Sequence, residues 1–415
     1  MPVPPSPAGV GTERLPPRRL LINDHAGHPF QVQLSRALAA RGHTVLHTYT
    51  ENLLTPRGDL KRGEADPPSF AVEPLVLSRP FQRYGLLRRV LQERELGCHL
   101  VDRVRAFRPD LVVSANTPLG AQQHLLRACR AQGIGFVFWL QDLLGVGINS
   151  ALSRKLPLLG AGIGHYYLRL ERALLRASSA VVAITDDFIP LCQSAGVADR
   201  AMHVIPNWAP LAEVPVMAKS NRWSTRENLA ETFNFLYSGT LGMKHNPQLL
   251  VELALHLRPA DKVRLIVISE GLGADYLARA KRQHALDHLI LLPFQPYAWM
   301  PQILGAADVL VALLEPSAGV FAVPSKVLTY LCAGRPLLLA VPPENLAARI
   351  VREQEAGIVV APDDRAGFLA GARRLLDEPA LRERLARKGR AYAEANFDID
   401  RIRDRFETVL AGCGA

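Results

Sequence analysis

Short apolar runs bounded by turn residues alternate along this chain with longer stretches whose apolar positions recur every three or four residues, the marks of strands and helices in turn. In the first half, residues 19–22, 44–49, 111–114, 135–140, 180–184 and 202–205 read as strands, and 30–41, closed by Gly42, reads as a helix after the first of them. The second half repeats the grammar, with strands expected at 233–237, 263–268, 289–292, 309–313, 336–339 and 357–360, and helices at 247–257, 274–284, 299–305 and 326–331. A last helix is expected at 401–410. Asp400 reads as its N-cap, a better reading of the Asp398-x-Asp400 spelling than a metal pair.

This alternation predicts an α/β chain of two doubly wound, Rossmann-like domains, each a mostly parallel sheet covered by helices. Ligands in such folds lie beyond the C-terminal ends of the strands, so the cleft between the domains is the expected site. The boundaries read as a Pro-rich leader at 1–18, a first domain at 19–210, a second at 211–395, and a final helix and tail at 396–415.

A length of 415 residues agrees with two domains. No apolar run approaches the roughly 20 residues needed to span a bilayer, and the leader lacks the apolar stretch of a signal peptide, so a cytoplasmic protein is expected. Five irregularly spaced cysteines fit reduced thiols better than disulfides or a metal site. The net charge of +10 is lopsided: residues 1–210 hold 24 Lys and Arg against 16 Asp and Glu, residues 211–415 hold 25 against 23. A polyanionic partner therefore suits the first half, and charge alone does not choose among nucleic acid, anionic lipid and a phosphorylated acceptor. No nucleic-acid-binding motif accompanies the basic residues, which argues against nucleic acid.

The strongest local signal is the segment 237–247, Tyr-Ser-Gly-Thr-Leu-Gly-Met-Lys-His-Asn-Pro. A strand ends there, Gly239 allows close backbone approach beside Thr240, Lys244 offers a positive charge, and Pro247 can open a helix, all favourable for phosphate; a plain strand-to-helix turn is the alternative. It spells neither a dinucleotide fingerprint nor a P-loop. Gly27 and His28 occupy the matching first turn of the first sheet, as a ligand approach or as a loop histidine bonded to its neighbours. Gln141 and Asp142 follow the strand at 135–140, where Asp142 can orient sugar hydroxyls and Gln141 can donate or accept a hydrogen bond; a loop or cap role for Asp142 competes. In the second half, Glu270, Phe294 and Gln295 lie in loops after strands, Glu315, Gly319, Val320 and Phe321 in a further loop, and Ser325, Lys326 and Thr329 at the start of a helix that Ser325 can cap.

In order along the chain, Ile-Pro-Asn-Trp at 205–208, the segment 237–247, and Pro-Ser-Lys-Val-Leu-Thr-Tyr-Leu-Cys-Ala-Gly-Arg-Pro at 324–336 resemble retaining glycosyltransferase family 4 of the GT-B fold, especially exopolysaccharide transferases of the colanic acid type. The resemblance covers about residues 19–410. It implies a metal-independent retaining transfer of a hexose-type sugar from a UDP- or GDP-sugar held on the second domain to a polyprenyl-diphosphate-linked or glycan acceptor on the first. Gly239 and Lys244 would meet the diphosphate, Phe294 and Gln295 the base, Gly319 to Phe321 the sugar, and the Gly27–His28 turn the phosphates from across the cleft. The final helix would cross back to the first domain. The chain departs from its relatives in having Thr329 where the second of two glutamates usually stands, Phe321 eight residues earlier, Gln141 in place of a histidine, and Thr240 in place of an arginine. Competing readings are a same-fold nucleotide-sugar epimerase and a non-catalytic nucleotide or polyanion binder. Basic, leucine-rich segments at 84–108 and 152–176 add the expectation of peripheral contact with an anionic inner-membrane surface.

Overall fold

The structure is a computed structural model that describes residues 15–53, 57–80, 86–155, 157–242, 245–258, 260, 262–314, 319 and 324–413. The first domain opens with β1 (Arg19–Asp24), α1 (Pro29–Ala40), β2 (Thr44–Thr50) and β3 (Phe70–Leu75). It continues with α2 (Leu86–Phe107), β4 (Leu111–Ala115), α3 (Leu119–Ala131), β5 (Gly135–Leu140), α4 (Leu144–Lys155) and α5 (Pro157–Ala177), then β6 (Ala180–Ala183), α6 (Ile189–Ser194) and β7 (Met202–Val204). Every pairing is parallel, in the order β3-β2-β1-β4-β5-β6-β7.

The second domain begins with α7 (Arg222–Arg226), β8 (Phe233–Ser238), α8 (Gln248–Leu257), β9 (Val263–Ile268), α9 (Leu272–His284) and β10 (Leu289–Leu292). There follow α10 (Met300–Gly305), β11 (Val309–Leu313), α11 (Ser325–Cys332), β12 (Leu337–Ala340), α12 (Leu346–Glu353) and β13 (Gly357–Val360). Three helices close the chain: α13 (Arg365–Asp377), α14 (Pro379–Asn396) and α15 (Ile399–Gly412). This sheet is also parallel, ordered β10-β9-β8-β11-β12-β13. Strand order reverses between β1 and β4 in one domain and between β8 and β11 in the other, which places the ligand crevice at the turns after those strands.

The expected two-domain α/β architecture is thus present. The pattern reading missed β3, whose sequence carries Glu73 and Pro74 and whose side chains alternate poorly between inside and outside; an edge position tolerates both residues. The last helix starts earlier than expected. Asp398, not Asp400, is its N-cap, its carboxylate accepting the N–H groups of Asp400 and Arg401.

α15 crosses back to the first domain. Its Phe406 ring meets Trp139 of β5 at a centroid distance of 4.8 Å, and Trp139 stacks at 5.9 Å on Trp208 of the interdomain segment. Phe30 of α1 packs edge-on against both tryptophans. Arg41 bonds Asp404 at 3.0 Å, and Arg405 donates to the Val204 carbonyl at 2.5 Å. A continuous apolar core runs from the first sheet through this aromatic junction to the side of the second sheet that carries α11 and α14. Such rings contribute on the order of 1 kcal/mol per pair beyond their buried area.

The basic helices divide their leucines. Leu96, Leu100, Leu170 and Leu174 are buried, whereas Val90, Leu91 and Tyr166 are more than half exposed. Arg89, Arg103 and Arg105 pair with Glu93, Glu73 and Asp102. Among the described residues no helix is long and apolar enough to cross a membrane.

Candidate active site at the interdomain cleft

On the first-domain side, the β1–α1 turn is organised by Asp24, which is fully buried. Its carboxylate accepts the N–H of Ala26 at 3.0 Å and the N–H of His28, closing the start of α1. With its amide turned to donate, buried Gln31 reaches both Asp24 oxygens at 2.6 and 2.7 Å. His28 Nδ1 stands 3.4 Å from Asp24 Oδ1 and 3.3 Å from Asn116 Nδ2. Burial disfavours the charged imidazole, but the carboxylates of Asp24 and, further off, Asp142 outweigh it and hold His28 above the ordinary histidine pKa. Burial likewise opposes the Asp24 carboxylate, and His28 outweighs it in turn, leaving Asp24 below the usual carboxylate range. His28 and Asp142, chosen separately from the sequence, therefore share one electrostatic neighbourhood.

Gly27 has a φ of +75°, which needs glycine, and the chain's own loop packs beside it: a Cβ there would lie 2.7 Å from Leu60, and Gly58 donates its N–H to the Gly27 carbonyl at 3.0 Å. Gln141 is committed elsewhere. It exchanges two hydrogen bonds with Asn207 of the interdomain segment, at 2.6 and 3.2 Å, and both side chains are buried. The amide expected at the sugar thus ties β5 to the interdomain segment.

Two more carboxylates lie under this side of the cleft. Glu171 of α5, only 1% exposed, accepts the Gly145 N–H at 3.0 Å in the first turn of α4. Burial lifts its pKa to about 7; the backbone N–H groups of α4 pull it down and Asp142 pushes it up. Glu93 of α2, 2% exposed, accepts the Gly120 N–H at 3.0 Å in the first turn of α3 and is bonded by Arg89 at 2.8 Å. Asp24 thus holds the N–H groups of Ala26 and His28 just ahead of α1, while Glu93 and Glu171 each hold an N–H in the first turn of α3 and of α4.

The second-domain side is built with the opposite charge. Gly239, with φ of +124°, turns the chain after β8, and a Cβ there would come within 3.1 Å of the Lys326 Cε and Nζ atoms. Lys326 Nζ lies 3.7 Å from the centroid of the Tyr237 ring and 3.5 Å from the Thr240 carbonyl. Burial alone depresses its pKa to about 7. Tyr237 donates its hydroxyl to the Thr240 carbonyl at 2.8 Å, and the Tyr330 hydroxyl both accepts from Ser238 N–H at 2.9 Å and donates to its carbonyl at 3.1 Å, so the turn is fixed from below. Ser325 is not the expected cap: it is the first residue of α11, and Pro324 holds the cap position, with no side-chain cap bond of its own. Thr329 is half-buried one turn after Lys326 on the same helix.

Glu270 accepts the Phe294 N–H at 3.0 Å, joining the loops after β9 and β10, and Gln295 donates to the Pro293 carbonyl at 3.0 Å. Gly319 accepts a bond from Asn345 at 2.7 Å. Lys244, Glu315, Val320 and Phe321 lie outside the described residues. Tyr330, Leu331 and Cys332 are buried packing residues. Among the described residues no group of His, Cys, Asp and Glu is arranged to hold a metal ion. The sequence reading passed over Asp24, Asn116 and Glu171, which surround its chosen residues.

Comparison with known proteins fits this geometry. Residues 28–208 match the family model for the glycosyl transferase 4-like domain, and residues 220–392 match that for glycosyl transferases group 1. The chain belongs to the GT-B glycosyltransferases. The two matches are separated only by residues 209–219 and between them take in every strand of both sheets except β1. A search of the curated proteins gives no match to the sequence. Among solved structures, this glycosyltransferase chain is similar in fold to HepE from Anabaena in complex with UDP-glucose (16% identity, TM-score 0.69, covering 95% of this chain and 99% of that one). It is also similar to sucrose-phosphate synthase from Thermosynechococcus elongatus (16% identity, TM-score 0.73, 95% and 98% covered). A third similar structure is WaaG, a glycosyltransferase involved in lipopolysaccharide biosynthesis (16% identity, TM-score 0.66, 95% and 100% covered).

Proposed function

We propose that this protein transfers a hexose-type sugar from a nucleotide-diphosphate donor, UDP- or GDP-linked, to a polyprenyl-diphosphate-linked or glycan acceptor during synthesis of an exopolysaccharide or other cell-surface polysaccharide. The observation that carries the reading is the asymmetry of charge across the cleft. On the first side Asp24 holds the amides just ahead of α1, and Glu93 and Glu171 hold amides in the first turns of α3 and α4. On the second, Lys326 lies under the Gly239 turn, and Pro324 at the N-cap of α11 makes no side-chain hydrogen bond to the helix. Those first-domain amides are already bonded by the protein's own carboxyl groups, whereas the lysine and the turn of the second domain can attract a diphosphate, so the donor belongs on the second domain.

In this mechanism Lys326, joined by Lys244, balances the charge that builds on the departing diphosphate, which a metal would otherwise do. The amides at the start of α11 and the backbone of the Gly239 turn add fixed dipoles, with Thr240 and Thr329 alongside. Glu270 holds Phe294 and Gln295 where the base would lie. Asp142 and His28 face the donor from the first domain, Asp142 orienting sugar or acceptor hydroxyls and charged His28 attracting phosphate oxygen. The acceptor hydroxyl attacks the anomeric carbon on the face that the diphosphate leaves, which retains configuration. The complex with UDP-glucose belongs to HepE and supports a nucleotide sugar as the donor class.

Peripheral binding to the cytoplasmic face of a membrane is part of the proposal. Val90, Leu91 and Tyr166 offer apolar surface on two helices beside Arg88, Arg94, Arg169 and Arg172, all exposed. The experiment that tests the function is incubation of the purified chain with UDP- and GDP-hexoses, with and without a polyprenyl-diphosphate sugar, followed by assay of released nucleoside diphosphate. Acceptor-dependent release is expected. Release without any acceptor would favour hydrolysis or epimerisation, and none with any donor would reject the reading.

A further inference from the structure

The two domains touch across the cleft rim at an ion pair that neither the core nor the proposed chemistry uses. Asp187 follows β6 of the first domain in a short turn begun by Thr185, whose hydroxyl donates to Asp187 Oδ2 at 2.8 Å. Arg349 lies on α12 of the second domain and reaches Asp187 with both terminal nitrogens, Nη2 to Oδ2 at 2.5 Å and Nη1 to Oδ1 at 3.1 Å. Arg349 Nη1 also donates to the Glu344 carbonyl at 3.0 Å. The start of the same helix is capped by fully buried Asn345, which accepts the Ala347 N–H at 3.0 Å and donates to the Gly319 carbonyl at 2.7 Å. A continuous path of bonds therefore joins the first domain, through Asp187 and Arg349, to Asn345 and Gly319 on the donor side. A bidentate guanidinium–carboxylate pair is directional, so it forms only at one interdomain geometry.

We propose that Arg349 and Asp187 form a closure latch that holds the domains together and thereby positions α12 and Gly319 for transfer. The proposal rests on the nucleotide-sugar reading for its kinetic consequence but not for its structural one. Both side chains remain about one-third exposed or less, so the pair is weak enough to break and remake on each turnover. They are positioning residues; neither touches the reacting atoms.

The test compares the intact chain with Arg349→Gln, Asp187→Asn and the double variant. Small-angle scattering reads interdomain spacing, and donor turnover reads function. Each single variant should widen the distribution of interdomain distances and lower kcat by up to about fivefold, the range of a solvent-reachable pair. Affinity for UDP, measured by calorimetry, should change less than twofold because its site is on the second domain. The double variant should be no worse than either single one, since both break one interaction. The charge-swapped pair, Arg349→Asp with Asp187→Arg, should recover compactness. Unchanged scattering in the single variants, or additive losses in the double, would overturn the latch. Should the wild type release nucleotide from no donor, the functional reading fails alone, and scattering still judges the latch.

Discussion

Lys326 Nζ stands 3.7 Å from the ring centroid of Tyr237, beneath a turn in which Gly239 leaves room for it. A half-buried amine held near neutrality is ready to become fully charged when an anion arrives. Lys326→Met should therefore lower kcat/KM for sugar transfer by roughly 2 to 4 kcal/mol, about 30- to 1000-fold, through loss of leaving-group stabilisation. Steady-state kinetics on the folded variant checks this.

The same lysine predicts a proton linkage. Its pKa lies at about 7, below the ordinary lysine value of 10.5. Between those values the unfolded chain binds a proton that the folded chain does not, so this group makes stability rise with pH across that window. A bound diphosphate favours the charged amine, so UDP binding at pH 8 should take up a proton. Calorimetry in buffers of different ionisation enthalpy measures the uptake, which Lys326→Met should abolish.

Glu171 gives the opposite sign. Burial lifts its pKa to about 7, above the ordinary 4.5. Between these values the folded chain holds a proton that the unfolded chain has released, so its contribution is full below pH 4.5 and is lost as pH rises through 7. Glu171→Gln keeps an acceptor for Gly145 and should flatten that decline, leaving the variant more stable at pH 8 by on the order of 2 kcal/mol. Denaturant midpoints at pH 5 and 8 for both proteins check it.

These groups show what a sequence discloses and what it hides. Both sheets were legible because strands buried on both faces read as continuous apolar runs, as in 135–140 and 263–268. β3 was not, because its Glu73 and Pro74 suit an edge that no local pattern announces. Gly239 and Lys326 stood out in their turns, but that they meet is a tertiary fact spanning the whole β8–α11 interval. Gln141 looked free in the sequence, and only the return of Asn207 from the interdomain segment shows it paired. Glu171 was hidden most completely: an acidic residue among arginines on an amphipathic helix reads as surface, whereas the approach of α4 buries it.

Asp142 lies at the bend after β5 and acts electrostatically on both His28 and Glu171. Asp142→Asn should reduce transfer more than donor binding. The expected pattern is a fall in kcat of on the order of 100-fold with little change in the Kd for UDP. Normal acceptor turnover in the variant would make Asp142 a scaffold residue.

Membrane contact makes its own prediction. Leu91 is 66% exposed and Tyr166 56%, each near exposed arginines. Wild type should sediment with anionic liposomes and not neutral ones, less so at moderate salt, and Leu91→Ser with Tyr166→Ser should weaken that binding without loss of thermal stability. Equal sedimentation with both lipids would reject it.

The account turns on a cleft whose second domain holds a nucleotide sugar for an acceptor on the first. Its most direct measurement is product analysis by NMR after incubating the protein with a nucleotide hexose and a polyprenyl-diphosphate-linked sugar in excess chelator. The account predicts nucleoside diphosphate released in step with a new glycosidic bond that keeps the donor's anomeric configuration. Inverted configuration, or nucleotide released with no glycoside formed, would contradict it.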